Sequence, residues 1–278
     1  MIRFPSFRTG LAALAVLALT PLVLDAVLVA PHAIFMDHRT RTAQFTIANP
    51  GDAPEDVEIA LRFGYPDTDS SGNPYIALPD APAPNQPSAA GWIQAFPRRV
   101  RLEPGQRQVV RLLATPPADL PDGEYWTRVI ATSRRISTND SARGTGLQAG
   151  LTFELRTIVG LIYRKGTPHT AVRLQALHGL TSGDSLVVWA GLAREGNAAY
   201  LGSAHVSVIA GNGAAVQQWQ VPIAVYYTLN RRLAFSAAGI APGHYRVRVE
   251  FTTAREDLAQ ADVLPAPAVS DSFAVDIH

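Results

Sequence analysis

The sequence predicts an all-β protein built from two sandwich domains, and three observations predict it. From Val27 onward, short runs of β-type residues are separated by Pro, Gly, Asn and Asp, with no stretch of helical periodicity. The chain of 278 residues is longer than one ordinary domain and suits two of sandwich size. A turn, a tyrosine and an alternating strand recur in both halves, as Pro121-Asp-Gly-Glu-Tyr125-Trp-Thr-Arg-Val129 and Pro242-Gly-His-Tyr245-Arg-Val-Arg-Val249. The repeat marks two related modules, with Tyr125 and Tyr245 as candidate tyrosine corners of immunoglobulin-like sandwiches.

Taken in order, the chain opens with Arg3 and Arg8 ahead of an apolar run, Leu11 to Leu24, broken only by Thr20 and Pro21. That pattern is an export signal over residues 1–26, the run being too short for a comfortable transmembrane span. Ala26 is the candidate cleavage position. Because Leu24 stands where a smaller residue is preferred, an uncleaved anchor is the alternative, and either outcome puts the body of the protein outside the cytoplasm.

The first domain is expected over residues 27–165. Its strands are read near Val27 to Met36, Thr42 to Asn49, Val57 to Phe63, Trp92 to Phe96, Gln108 to Ala114, Tyr125 to Thr132 and Leu147 to Tyr163. Asn49-Pro-Gly51-Asp, Pro104-Gly105 and Pro121-Asp-Gly123 are turn formers at the ends of apolar runs, where Gly supplies positive φ and Pro presets the bend. The proline-rich segment Leu78 to Pro87 reads as a surface loop, since Pro cannot serve a central strand. Arg134 to Gly150 reads as a long polar connection.

Lys165-Gly-Thr-Pro168 is the linker. A second sandwich follows over residues 169–278, with strands near Ala171 to Leu177, Ser185 to Leu192, Ala204 to Ile209, Val216 to Val225, Arg232 to Phe235, Tyr245 to Thr252 and Ser272 to Ile277.

The run from Leu151 to Arg164 carries the most functional information, because a strictly alternating segment leads into a nearly continuous apolar one. Side chains alternate along a strand, so Leu151, Phe153 and Leu155 form one apolar ridge while Thr152, Glu154 and Arg156 face the other way. Such a ridge either packs into its own core or is offered to a partner by strand addition.

Composition narrows the function classes. The chain has 24 basic and 23 acidic residues; residues 1–26 contain two and one of these, so the remainder carries 22 of each. A neutral body gives no electrostatic case for nucleic acid or for an anionic membrane. With no cysteine there is no disulfide scaffold and no thiolate chemistry.

No catalytic residue, cofactor site or metal site is assigned. There is no Gly-x-Ser-x-Gly elbow, no glycine-rich loop opening a helix, and the seven histidines lack metal-ligand spacing. Asp67-Thr-Asp69-Ser-Ser71-Gly72 resembles the start of a calcium loop, but Leu78 stands where the bidentate glutamate is required, so an Asx turn is expected. Asn139-Asp-Ser141 is a formal glycosylation sequon and signals exposure.

The first half resembles the N-terminal domain of the PapD-like periplasmic pilus chaperones. The resemblance rests on Phe45-Thr-Ile-Ala-Asn49-Pro, on Phe96-Pro97 through Leu102-Glu-Pro104-Gly105-Gln to Arg111-Leu, on Leu120-Pro-Asp-Gly-Glu124-Tyr, and on Leu161-Ile-Tyr163-Arg164. It covers about residues 28 to 165. It implies a non-enzymatic periplasmic chaperone or assembly factor whose partner is a secreted, pilus-like subunit, with an outer-membrane usher as a further partner and no small-molecule substrate. In that family the last strand of the first domain lends alternating apolar side chains to an unfinished subunit sandwich, and those positions fall on Leu151, Phe153 and Leu155. A structural or adhesive protein with two self-complete sandwiches is the alternative on the same residues.

The family also anchors the subunit's terminal carboxylate with an arginine on the first strand and a lysine on the last. Here those positions align with His32 and Gly160. Neither supplies a fixed cation, since glycine has no side chain and histidine is largely neutral at pH 7. His32 and Gly160 are still expected to lie together near the interdomain cleft, with Arg164, Lys165, Arg39 and Arg41 as the nearest cations in sequence.

Overall fold

The structure is a computed structural model that describes residues 27–137 and 151–278, with side chains described outside 135–153. Its first half contains β1 (Leu28–Ala30), β2 (Ala33–Asp37), β3 (Thr42–Ala48), β4 (Glu55–Arg62), β5 (Tyr65–Thr68), β6 (Pro74–Ala77), β7 (Ile93–Phe96), β8 (Arg99–Leu102), β9 (Arg107–Ala114), β10 (Gly123–Ser137) and β11 (Leu151–Lys165). The second contains β12 (Thr170–Ser182), β13 (Ser185–Gly196), β14 (Tyr200–Ile209), β15 (Ala215–Val225), β16 (Thr228–Ser236), β17 (Gly243–Thr252) and β18 (Val269–Ile277). A single 3₁₀ turn, Gln260–Asp262, is the only helical element among the described residues.

Two sandwiches result. In the first, a sheet of order β1-β3-β9-β7 faces one of order β2-β11-β10-β4-β8; in the second, β12-β13-β16 faces β15-β14-β17-β18. Strict alternation builds both cores. Phe45, Ile47, Val110, Leu112 and Val129 fill the first, and Leu186, Val206, Val247 and Phe251 the second, all almost wholly removed from solvent. Burying each such side chain contributes about 1.5–3 kcal/mol.

The turns work as their residues require. Asn49 is buried because its amide closes the Asn-Pro-Gly bend: Nδ2 donates to the carbonyls of Ala53 (2.8 Å) and Leu102 (3.0 Å), and Oδ1 accepts from Gly51 N–H (3.0 Å). The two tyrosines form equivalent corners. Tyr125 donates its hydroxyl to the Pro121 carbonyl and Tyr245 to the Ala241 carbonyl, each at 2.8 Å and each four residues upstream.

Four features differ from the sequence reading, the first being that β10 runs on past Thr132 to Ser137, into the start of the expected Arg134 to Gly150 connection. The expected strand Val27 to Met36 is two, because Pro31 has no N–H to continue a ladder; β1 pairs antiparallel with β3, and β2 crosses to pair parallel with β11. β8 adds a short edge strand beyond Pro97, paired with β4. β5 and β6 form a separate hairpin that alternation does not announce, since Tyr65-Pro-Asp-Thr68 has no apolar period.

Candidate functional site

β11 has two unlike halves. From Gly160 to Arg164 it lies between β10 and the parallel strand β2, whereas residues 151–159 have β10 on one side and no strand on the other among the described residues. β4 pairs with β10 only as far as Arg134, so the pairs Phe153↔Arg135 and Leu151↔Ser137 belong to a two-stranded extension beyond the sheet. Among the described residues the open half is therefore an edge with no strand paired to it, the feature that invites another strand.

Positions 151, 153 and 155 are in phase with Val159 and Leu161, which are buried in the first core. The ridge thus continues the core face of the strand rather than its outer face. Leu155 is half-buried, while the side chains of Leu151 and Phe153 lie outside the described residues. On the opposite face Glu154 and Arg156 are exposed and charged, and Ile158 is an exposed apolar residue. Glu154 is hydrogen-bonded by Arg134 Nε (2.9 Å) and Arg156 Nε (2.9 Å), and the Arg134 bond foremost holds its carboxyl below the ordinary glutamate range.

At the foot of the open half, the even-numbered face of β10 and β11 meets the second sandwich. Phe63, Trp126 and Ile162 pack there against Ala199, Leu201 and Tyr226 in a third buried cluster. Glu124 ties the halves together: Oε1 accepts from Trp126 Nε1 (2.8 Å) and from the Ala199 amide across the interface (3.0 Å), and Oε2 accepts from Arg164 Nε (3.0 Å). Arg164 also lies over the Phe35 ring at 4.8 Å. It is thus the partner of a buried glutamate, though its Nη2 is buried without a hydrogen-bond partner among the described residues.

The parallel register sets Gly160 beside Ala33, so His32 and Gly160 are neighbours at this cleft. His32 turns away to Asp257 of the second sandwich, Nε2 to Oδ2 3.2 Å, with 60% of its side chain exposed. Gly160 leaves room that another residue takes. Arg128, its cross-strand partner on β10, crosses the glycine so closely that a Cβ built there would lie 2.8 Å from Arg128 Nη1.

Arg128 is only 6% exposed. Its Nε donates to the Gly64 carbonyl (3.0 Å), its guanidinium lies 5.2 Å from the Tyr226 ring centroid, and Nη2 has no hydrogen-bond partner among the described residues. Burial of a charge in this state is costly and is ordinarily offset by an anion. Across the cleft, Arg194 stands 5.6 Å from the Trp126 ring centroid, donates to the Tyr226 carbonyl (2.6 Å), and burial pulls its pKa down. Trp126 thus links three arginines: Arg194 lies against it directly, Arg164 reaches it through Glu124, and Arg128 through Tyr226.

The other cations anticipated from sequence are engaged elsewhere. Lys165 donates to the Leu120 carbonyl, Arg39 pairs with Asp37 at 3.3 Å on the surface, and Arg41 Nε donates to the His38 carbonyl at 3.1 Å. Arg128 is the residue the sequence reading missed. Its signal is faint, namely that an even-numbered arginine in Tyr125-Trp-Thr-Arg shares a face with Glu124 and Trp126.

Among the described residues no group of three or more His, Cys, Asp or Glu could hold a metal ion. The Asp69 turn is closed by protein groups, since Oδ1 accepts from the amides of Ser71 (2.8 Å) and Asn73 (2.9 Å).

No protein-family model matches the sequence, and no curated protein matches it. The chain is similar to several solved structures. One is the CsuC–CsuE chaperone–tip adhesion subunit pre-assembly complex of Acinetobacter baumannii Csu pili, at 10% identity over 90% of this chain and 98% of that one, with a TM-score of 0.44. Another is the CupB2 chaperone of Pseudomonas aeruginosa, at 14% identity over 88% and 98%, with a TM-score of 0.39. A third is the SafA pilin in complex with the SafB chaperone from Salmonella enterica, at 16% identity over 90% and 97%, with a TM-score of 0.38.

Proposed function

We propose that this chain is a periplasmic chaperone or assembly factor that lends the open half of β11 to an unfinished sandwich in a secreted, pilus-like subunit, with an outer-membrane usher as the receiving partner. One observation carries the reading: β2 covers β11 only from Gly160 onward, and residues 151–159, which no other described strand covers on that side, begin with an apolar alternation. An apolar edge of this length is an aggregation hazard unless something covers it. Strand addition answers that need, with main-chain hydrogen bonds giving affinity and alternate side chains giving specificity.

In this reading Leu151, Phe153 and Leu155 fill the subunit's groove. The foot of the donated strand, at Gly160, His32 and Arg164, receives the end of the partner chain. The cation for a terminal carboxylate is then Arg128, placed where Gly160 has no side chain. The domains are taken as residues 27–165 and 169–278 after an export signal over 1–26.

The test is co-expression with pilin-type subunits exported by the same cell. A one-to-one complex in which amides of residues 151–159 gain protection from hydrogen exchange is the expected result. A complex whose protected amides lie elsewhere in the chain would overturn strand donation.

A further inference from the structure

The β5–β6 hairpin belongs by sequence to the first sandwich and, while its root stays on β10, it reaches across to the second. Its tip is set rigidly, because Asp69 accepts from the amides of Ser71 and Asn73, and Asn73 Nδ2 donates to Asp69 Oδ2 (3.1 Å). Gly72, at φ +80°, then presents its carbonyl to the amide of Arg232 (3.0 Å) on β16, and Thr68 Oγ1 accepts from the Asn230 amide (3.2 Å). β16 is the edge of its sheet, paired with β13 on one side only. The hairpin therefore satisfies two alternate N–H groups on the free side of that edge.

Its root is held as firmly. Tyr65 packs edge-on against Tyr227 of the second sandwich with centroids 4.8 Å apart, and the Gly64 carbonyl just before β5 accepts from Arg128 Nε. At the tip the fit leaves no room for a side chain, since a Cβ on Gly72 would lie 2.7 Å from Arg232 Cβ and 2.9 Å from its backbone nitrogen.

We propose that the Tyr65–Ala77 hairpin is an interdomain strap, which fixes the angle between the two sandwiches by capping the open edge of β16 with the tip while its root is held in the cleft. The proposal is independent of what the cleft binds. It asks of the hairpin only what its hydrogen bonds provide, an attachment between the sandwiches in addition to the Lys165-to-Pro168 connection, the buried cluster around Trp126 and the Glu124 bond to Ala199.

Because the chain has no cysteine, two introduced ones give clean labelling sites. Gln44→Cys on β3 and Gln217→Cys on β15, both exposed, carry spin labels that report the distance between the sandwiches. Gly72→Val is the test variant. Gly105→Val is its control, because Gly105 also has positive φ (+73°) but a Cβ there would meet nothing within 4 Å. The parent and the control are expected to show one narrow distance distribution, and Gly72→Val a broadened or shifted one. An unchanged distribution in Gly72→Val would overturn the strap.

Hydrogen exchange on the unmodified chain supplies a second measurement should Gly72→Val fail to fold. The Arg232 and Asn230 amides are expected to exchange about tenfold or more slowly than unpaired edge amides do. Exchange at the rate of an open edge would also refute the strap.

Discussion

At the scale of single residues, the decisive exchange is between Gly160 and Arg128. A side chain at Gly160 would occupy the volume that the Arg128 guanidinium takes, so the glycine and the arginine are two parts of one arrangement. The guanidinium spends Nε on a backbone carbonyl and keeps Nη2 without a partner among the described residues, which leaves donor capacity for an anion. A charge-assisted hydrogen bond contributes about 1.5–3 kcal/mol, or roughly ten- to hundredfold in affinity. Arg128→Met is therefore expected to weaken binding of a partner chain ending in a free carboxylate by about that factor, with little change for the same chain ending in an amide. Titration calorimetry of both forms against both proteins checks it. Equal losses for acid and amide would remove Arg128 from carboxylate recognition.

At the scale of elements, β11 is where sequence and structure speak most directly to each other. The two-residue period of Leu151 to Arg156 was readable at once, and so were the tyrosine corners, because each depends on residues close in sequence. That no described strand covers residues 151–159 was not readable, since it depends on where β2 begins after Pro31 and on the parallel register that starts at Ala33↔Gly160. Arg128 was hidden for the same reason. An arginine between Thr127 and Val129 reads as a solvent-facing residue until the register places it over a glycine and the second sandwich covers it. The β5–β6 hairpin was missed because its stabilising partners, Asn230, Arg232 and Tyr227, lie about 160 residues away.

The strand-donor reading makes a sharp prediction at this scale. Phe153 pairs with Arg135 on the two-stranded extension beyond β4, and on this reading Phe153→Glu is expected to change thermal stability by no more than about 0.5 kcal/mol, as surface substitutions do. The same variant should lose subunit capture, because the charge would have to enter an apolar groove. A loss of several kcal/mol in thermal unfolding would make Phe153 a core residue and end the donor interpretation.

At the scale of the whole molecule, the angle between the sandwiches rests on the buried cluster of Phe63, Trp126 and Ile162 against Ala199, Leu201 and Tyr226, the buried Glu124–Arg164 pair with its bond to Ala199, the hairpin on β16, and the surface pairing of His32 with Asp257. The last of these is tunable by acid. Arg255 donates two hydrogen bonds to Asp257, at 2.6 and 2.5 Å, and chiefly for that reason the Asp257 carboxyl is held down to about 2 from an ordinary 3.8, with the His32 contact adding to the effect. A carboxyl whose folded-state pKa is depressed contributes stability that is complete above its unfolded pKa and lost as pH falls through the folded one. The window is therefore from about pH 4 down to about pH 2. Asp257→Asn keeps the side-chain shape but removes the titrating charge, so its thermal midpoint should fall less steeply than the parent's across that window. The parent's spin-label distance distribution should broaden over the same range, while that of Asp257→Asn, lacking the charged link to His32 at every pH, should change little with acid. If parent and variant instead lose stability in parallel, the His32–Asp257 contact makes no measurable contribution to holding the two sandwiches together.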